Sequence, residues 1–286
     1  MQMGDGWNMN KRRSQFNTAL SRGAFVTVIF LASGSALLAL QSRSFQRYRP
    51  DRASSYTDQK DEFAFARLRY PIRMASYGGF GDFGMFRNGG WSEDYPRADR
   101  QFVQGVLRLT RIDARPYQEV IDPDSDEIFN WPWLYAVNVA NWDFNDEQAK
   151  RMRDYLQRGR FLIVDSFHGA AAWQSFMIGM RKILPDRPVE DLTNKDEIFH
   201  VLYDLEERTQ IPGYQYIYTG RTYENDGIYP EWKAIRDEHG RIMVAIYFNM
   251  HIGDAWEHAD DPQYPERFSS YAYRMGINYI IYPMTH

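Results

Sequence analysis

Apolar residues fall along this chain in three patterns: one long uncharged run near the start, short runs of strand length, and intervening stretches with helical spacing. The long run is Gly23 to Ser42 (GAFVTVIFLASGSALLALQS), bounded by Arg22 and Arg43. At about 1.5 Å per residue such a run reaches roughly 30 Å as a helix, the thickness of a bilayer's hydrocarbon core. It predicts one transmembrane helix. Residues 1–22 then form a polar tail, 43–61 a tether, and 62–286 a single water-soluble domain. A cleaved signal is the competing reading, because Ser33 to Ala36 are small and Arg12-Arg13 precede the run. Lys11, Arg12, Arg13 and Arg22 before the run balance Arg43, Arg47, Arg49 and Arg52 after it. Since long domains translocate regardless of flanking charge, the expectation is a single-pass protein of the inner, cytoplasmic membrane with its large domain in the periplasm. Ala32, Ser35, Ala36 and Ala39 recur at i, i+3, i+4 and i+7, a stripe of small side chains where a transmembrane helix of another subunit could approach closely.

Beyond the tether, Phe63 to Tyr70 alternates and stops at Pro71, which predicts a strand. Asp94-Tyr95-Pro96 opens a helix running to about Thr110, with Phe102, Val106 and Leu109 on one face. Leu134 to Val139 and Phe161 to Val164 are continuously apolar and predict buried strands. Between them, Asn145 with Gln148 three residues on has the form of a capping box, and Gly159 closes the helix it begins. A further helix is expected from Ala170 to Leu184, ended by Pro185, then strands at Ile242 to Phe248 and Tyr279 to Tyr282. Strands alternating with helices predict an α/β fold, a doubly wound and mainly parallel sheet with helices on both faces.

Composition narrows the function classes. Charged residues at 25% and a net charge of -4 show no basic excess of the kind a nucleic-acid binder carries. Cysteine is absent, which removes disulfides, thiolate metal sites and cysteine nucleophiles together. Aromatics reach 16%, and several sit in a glycine-rich loop from Met74 to Trp91. Tyr77, Phe80, Phe83, Phe86 and Trp91 are candidate partner contacts there, for another protein or the bilayer surface.

Three constellations could carry chemistry. Gly79 to Gly84 fits G-x-G-x-x-G, yet no helix pattern follows to meet a pyrophosphate, and no cofactor is expected. Asp165, Ser166 and His168 bring the residue types of a hydrolase triad to the end of a strand, but neighbours in a turn rarely converge on one hydrogen-bonded line. The preferred role for Asp165 and His168 is therefore to fix the loop by hydrogen bonds, and no catalytic residue is expected, Asp165, Ser166 and His168 being the candidates only under the hydrolase alternative. His251, Asp254, Glu257 and His258 offer metal-capable groups at helical spacing, with His200 and His286 as possible outside partners. Since Gly253 and Trp256 interrupt the set and Asp260, Asp261 and Pro262 follow, an irregular surface loop with solvated charges competes with it, and no metal is expected.

The segments FAFARLRYP, GGWSEDYPRADRQF, FNWPWLYAVN, FNDEQAKRMRDYLQRGRFLIVDSFHG, IFHVLYDL and GDAWEHADDPQYPERFSSYAYRMGINYIIYPMTH together resemble the bacterial domain-of-unknown-function family 4159 over nearly all of 63–286. The resemblance rests on Asp94-Tyr95-Pro96 with Asp99, the Gly-x-Phe-Leu-x-x-Asp strand and the terminal Asn278-Tyr279 to His286 stretch, in that order. It implies a class I glutamine-amidotransferase-like, flavodoxin-like fold. It does not imply that activity, which needs the cysteine nucleophile this chain lacks. The chain departs from the family pattern at Arg160, where a second glycine is commoner, and at Met250-His251. It is also similar, more weakly, to an accessory subunit of a bacterial photosynthetic reaction-centre and antenna complex. The reading that joins these signals is a non-catalytic, membrane-anchored binding or assembly subunit of a larger membrane complex. A membrane-anchored hydrolase or metal-assisted hydrolase is the first alternative, and a periplasmic domain binding a small molecule or glycan is the second.

Overall fold

A computed structural model describes residues 62–73 and 90–286. The predicted transmembrane run, its stripe Ala32, Ser35, Ala36 and Ala39, the glycine motif Gly79 to Gly84, and Tyr77, Phe80, Phe83 and Phe86 lie outside the described residues. Among the described residues no helix is long and apolar enough to cross a membrane.

The strands are β1 (Ala66–Leu68), β2 (Glu119–Ile121), β3 (Trp133–Val137), β4 (Phe161–Phe167), β5 (Glu190–Asp191), β6 (Glu231–Arg236) and β7 (Ile242–Phe248). They form one sheet in the order β2-β1-β3-β4-β7-β6-β5. The first five are parallel, and β6 and β5 extend the sheet antiparallel. The helices are α1 (Arg97–Leu109), α2 (Asp146–Gln157), α3 (Gly169–Ile183), α4 (Tyr216–Thr219), α5 (Ile252–Glu257) and α6 (Glu266–Thr285).

Strands β3, β4 and β7 are buried at every position because both faces of the sheet are covered, and apart from Asp165 and Ser166 near the end of β4 their residues are apolar or aromatic. Trp133, Tyr135, Phe161, Ile163, Ala245 and Tyr247 pack with α1, α5 and α6 on one face. Their neighbours Leu134, Ala136, Leu162, Val164, Val244 and Ile246 pack with α2 and α3 on the other. This is the period-two alternation of a strand resolved into two cores. The expected capping box is present at α2: Gln148 N donates to Asn145 Oδ1 at 2.8 Å, and Asn145 N to Gln148 Oε1 at 3.0 Å.

One expected element is corrected. Tyr279 to Tyr282 is not a strand but part of the 20-residue α6. Its aromatic and branched residues have strand propensity, but Phe268, Tyr271, Ala272, Met275, Tyr279 and Tyr282 recur at helical spacing and bury one stripe on the sheet. Trp133 Nε1 donates to the carbonyl of Tyr279 at 3.1 Å, fastening that helix to β3. The first strand is also shorter than its alternation suggests, since Phe63 makes only an isolated bridge to Ala114.

Chain direction across the sheet reverses between β1 and β3. The connection from β1 leads to β2 on one side, and that from β3 leads to β4 on the other. In open α/β sheets the carboxyl ends of the strands at such a reversal are where ligands bind.

Candidate functional site

Beneath that edge lies a buried ion pair. Arg67, at the centre of β1, points its guanidinium at Asp99 in the first turn of α1, with Nε 2.9 Å from Oδ2 and a second contact from Nη2 to Oδ1. Its Nη1 donates to the carbonyls of Trp91 and Glu93 at 3.0 and 2.9 Å, and the ring of Tyr135 lies 5.0 Å away. Although burial opposes the charge, the Asp99 carboxylate holds the guanidinium firmly protonated. The pair therefore ties residues 91–93 to the sheet, and those residues deliver Glu93 and Asp94 to its edge. Trp91, the one candidate contact residue among those described, is partly buried beside Tyr95 and under the Arg69 guanidinium.

Asp165, near the end of β4, is fully buried. Its Oδ2 accepts from the Tyr135 hydroxyl at 2.6 Å, from Gly253 N at 2.9 Å and from Ile252 N at 3.0 Å. The carboxylate thus caps the start of α5 and sets the turn that carries His251. Gly253 is required by proximity: a Cβ there would lie 2.4 Å from Asp94 Oδ2 and 2.9 Å from the Tyr135 hydroxyl.

His251 occupies the middle of the edge between two carboxylates. Its Nε2 is 2.8 Å from Asp94 Oδ2 and its Nδ1 3.2 Å from Asp254 Oδ2. Burial resists protonation, but the Asp254 and Asp94 charges outweigh it and raise the imidazole well above its ordinary range. Asp254 also accepts from Tyr214 N at 2.6 Å. Carboxyls outnumber cations here, and burial drives their affinity for protons upward, to about 7 for Asp254, about 8 for Glu93 and about 6 for Glu257.

The three triad candidates share the end of β4 and the turn into α3 without forming a catalytic line. Ser166 donates to Glu93 Oε2 at 2.9 Å rather than to an imidazole. Its φ of 55° falls in the left-handed region that disfavours non-glycine residues. Asp165 is occupied as described. His168 is 8% exposed, and neither of its ring nitrogens has a hydrogen-bond partner among the described residues. Burial, reinforced by the charge on His251, pushes it down to about 3, so it is a neutral imidazole. Its Nε2 lies 3.7 Å from Glu224 Oε1.

Of the metal candidates, His251, Asp254, Glu257 and His258 are brought together on α5 and its caps, which settles their segment as a helix rather than a solvated loop. His258 Nε2 is 3.8 Å from Asp254 Oδ1, and its ring stacks on Tyr214 at 3.9 Å. His200 and His286 are engaged elsewhere, with Asp204 and Glu197 respectively. Three sets of ligand atoms lie within 4.8 Å of one another: His168, Glu224 and His251; Asp94, His251 and Asp254; and Asp254, Glu257 and His258. Sequence reasoning missed Arg67, Glu93, Tyr135 and Glu224 as members of the site. Arg67 carried a signal, because an arginine shares the alternating face of Phe63 and Phe65 in a strand destined for the interior.

The arrangement defines an α/β domain with a buried carboxylate and histidine basin at the carboxyl edge of a mostly parallel sheet. The chain belongs to the family described as domain of unknown function (DUF4159), which matches residues 64–284. No curated protein matches it.

Proposed function

We propose that this protein is a membrane-anchored, non-catalytic binding and assembly subunit of a larger membrane complex, its α/β domain presenting the carboxyl-edge basin. The observation that carries the binding part is the engagement of Asp165 and Ser166. One carboxylate is spent on Tyr135 and the start of α5, and the hydroxyl is paired with Glu93 rather than with an imidazole, so Asp165, Ser166 and His168 form no serine–histidine–aspartate line. The anchoring part is supported by the uncharged run Gly23 to Ser42. The order β2-β1-β3-β4-β7 corresponds to 2-1-3-4-5 among parallel strands, which supports the flavodoxin-like, amidotransferase-like reading of the fold. With that anchor the proposed placement is the inner membrane with the domain on the periplasmic side, since long domains translocate regardless of flanking charge. The reaction-centre and antenna complex is the first partner to seek, because pigment absorbance would report it directly.

Extraction of the full chain in mild detergent, followed by sizing and identification of co-purifying polypeptides and pigments, tests the reading. A defined complex supports it; a stable solitary monomer of 33.8 kDa plus detergent removes it. A metal-assisted hydrolase is the second reading, favoured by the convergence of His168, Glu224 and His251. Turnover of ester, amide or phosphoester substrates abolished by His251→Gln would replace the first reading with it.

A further inference from the structure

We propose that the carboxyl edge binds one divalent ion of the zinc class through His168, Glu224 and His251. The inference deepens the binding reading and rests on it only for the location of the site. Its starting point is His168, whose two ring nitrogens are buried without a hydrogen-bond partner among the described residues. An imidazole taken out of water with both nitrogens unused gives up its hydration for nothing within the protein, and such groups are rare unless something outside the chain completes them. The side chain is also aimed at other ligand atoms. Nε2 stands 3.7 Å from Glu224 Oε1, and the His168 and His251 ring centroids are 6.4 Å apart.

Two imidazoles and one carboxylate form a donor set suited to zinc and neighbouring divalent ions. Ligand atoms on a tetrahedral zinc stand about 3.3 Å apart, as bond lengths of about 2.0–2.1 Å require. The set here lies within 4.8 Å, so a modest contraction closes it. Glu224 can supply that movement, because it sits in the loop between α4 and β6 with 36% of its side chain exposed. The two histidines are held more firmly. His168 occupies the junction of β4 and α3, and His251 is the residue before α5, whose start Asp165 caps.

The surroundings suit a bound cation. Asp94 and Asp254 contact the two nitrogens of His251, so when a metal displaces the proton from one nitrogen to solvent, the carboxylate on the other fixes the ring's tautomer and orientation. Asp254 is itself held by Tyr214 N. Gly213 leaves the flank clear, since a Cβ there would lie 2.9 Å from both Asp254 Oδ2 and Glu224 Oε1. With three protein ligands, a position remains for water or for a group brought by a partner.

The test uses the full chain in mild detergent, stripped with a chelator and titrated with Zn2+ and Co2+. Elemental analysis after desalting counts bound ions, competition titration reads affinity, and the Co2+ absorption spectrum reports coordination number. The expected result is one tightly bound ion per chain. Affinity falls more than about hundredfold in His168→Gln and at least about tenfold in Glu224→Gln, but changes less than about twofold in His258→Gln. Glu224→Gln keeps the test decisive should the buried histidine variant fail to fold. Folded protein that retains no stoichiometric ion overturns the inference. So does affinity that survives Glu224→Gln and is lost in His258→Gln, which would place the ion on Asp254, Glu257 and His258. Metal-free protein that still co-purifies with partners removes this inference and leaves the assembly reading standing, whereas a metal-loaded solitary monomer does the reverse.

Discussion

Two groups of buried charge lie close together in this domain, and they are built on opposite terms. Around Arg67, one cation meets one carboxylate, and the remaining guanidinium nitrogen reaches two backbone carbonyls. Around His251, one imidazolium faces Asp94 and Asp254 while Glu93 and Glu257 stand by, and His168 contributes nothing to either sign. The same stretch of chain serves both, since Trp91 and Glu93 lend carbonyls to the first and Asp94 lends its side chain to the second. A saturated pair holds a segment in place. A group with surplus acceptors and an idle imidazole leaves interactions to be completed.

The contrast can be broken most forcefully at the pair. Arg67→Met strands a buried Asp99 carboxylate and is expected to cost about 3–5 kcal/mol in denaturant unfolding, with much of the loss recovered in the double variant Arg67→Met/Asp99→Leu. A double variant as unstable as the single one would show that the carbonyl contacts, rather than the charge pair, carry the stability. Asp165→Ala orphans the Tyr135 hydroxyl and two amides at the start of α5, for an expected cost of about 2–4 kcal/mol. Asp165→Asn should cost less, because an amide oxygen can still accept.

The basin responds to pH. Folded Glu93 keeps its proton up to about pH 8, whereas the unfolded group releases it near its ordinary value of 4.5. Its contribution to stability is therefore full below that ordinary value and is lost as pH rises through about 8. Glu93→Gln, permanently neutral, should flatten the fall in unfolding free energy between about pH 5 and 9 by on the order of 1–2 kcal/mol. Parallel wild-type and variant curves would reassign the burden to His251 or Asp254. The smallest effect is expected at the rim, where Glu224→Gln should change metal-free stability by less than about 0.5 kcal/mol. A larger loss in thermal melting would make Glu224 part of the scaffold.

Much of the layered architecture was legible in the chain, for local reasons. Ile242 to Phe248 is a strand at the bounds its apolar run suggested, and Asn145 with Gln148 forms its capping box, because both signals lie within a few residues. The end of the chain was misread where two local signals competed: the aromatic, branched run Tyr279 to Tyr282 favours a strand, and only the longer stripe from Phe268 onward reveals the helix. Strands β2, β5 and β6 carry too few apolar residues to stand out and are defined by their neighbours. The site was half visible. His251 and Asp254 are neighbours in sequence, but Asp94 lies 157 positions from His251 and meets it only through the fold.

The edge strand at the antiparallel end of the sheet, β5, has a further consequence. It is two residues long, both are exposed acids, and Arg236 and Lys233 of β6 hold them by their side chains. An incoming polypeptide finds no row of free main-chain groups there to zip onto, and charge repels a greasy one. At this edge, recognition of any other molecule would depend on side-chain shape and chemistry rather than on a borrowed backbone ladder.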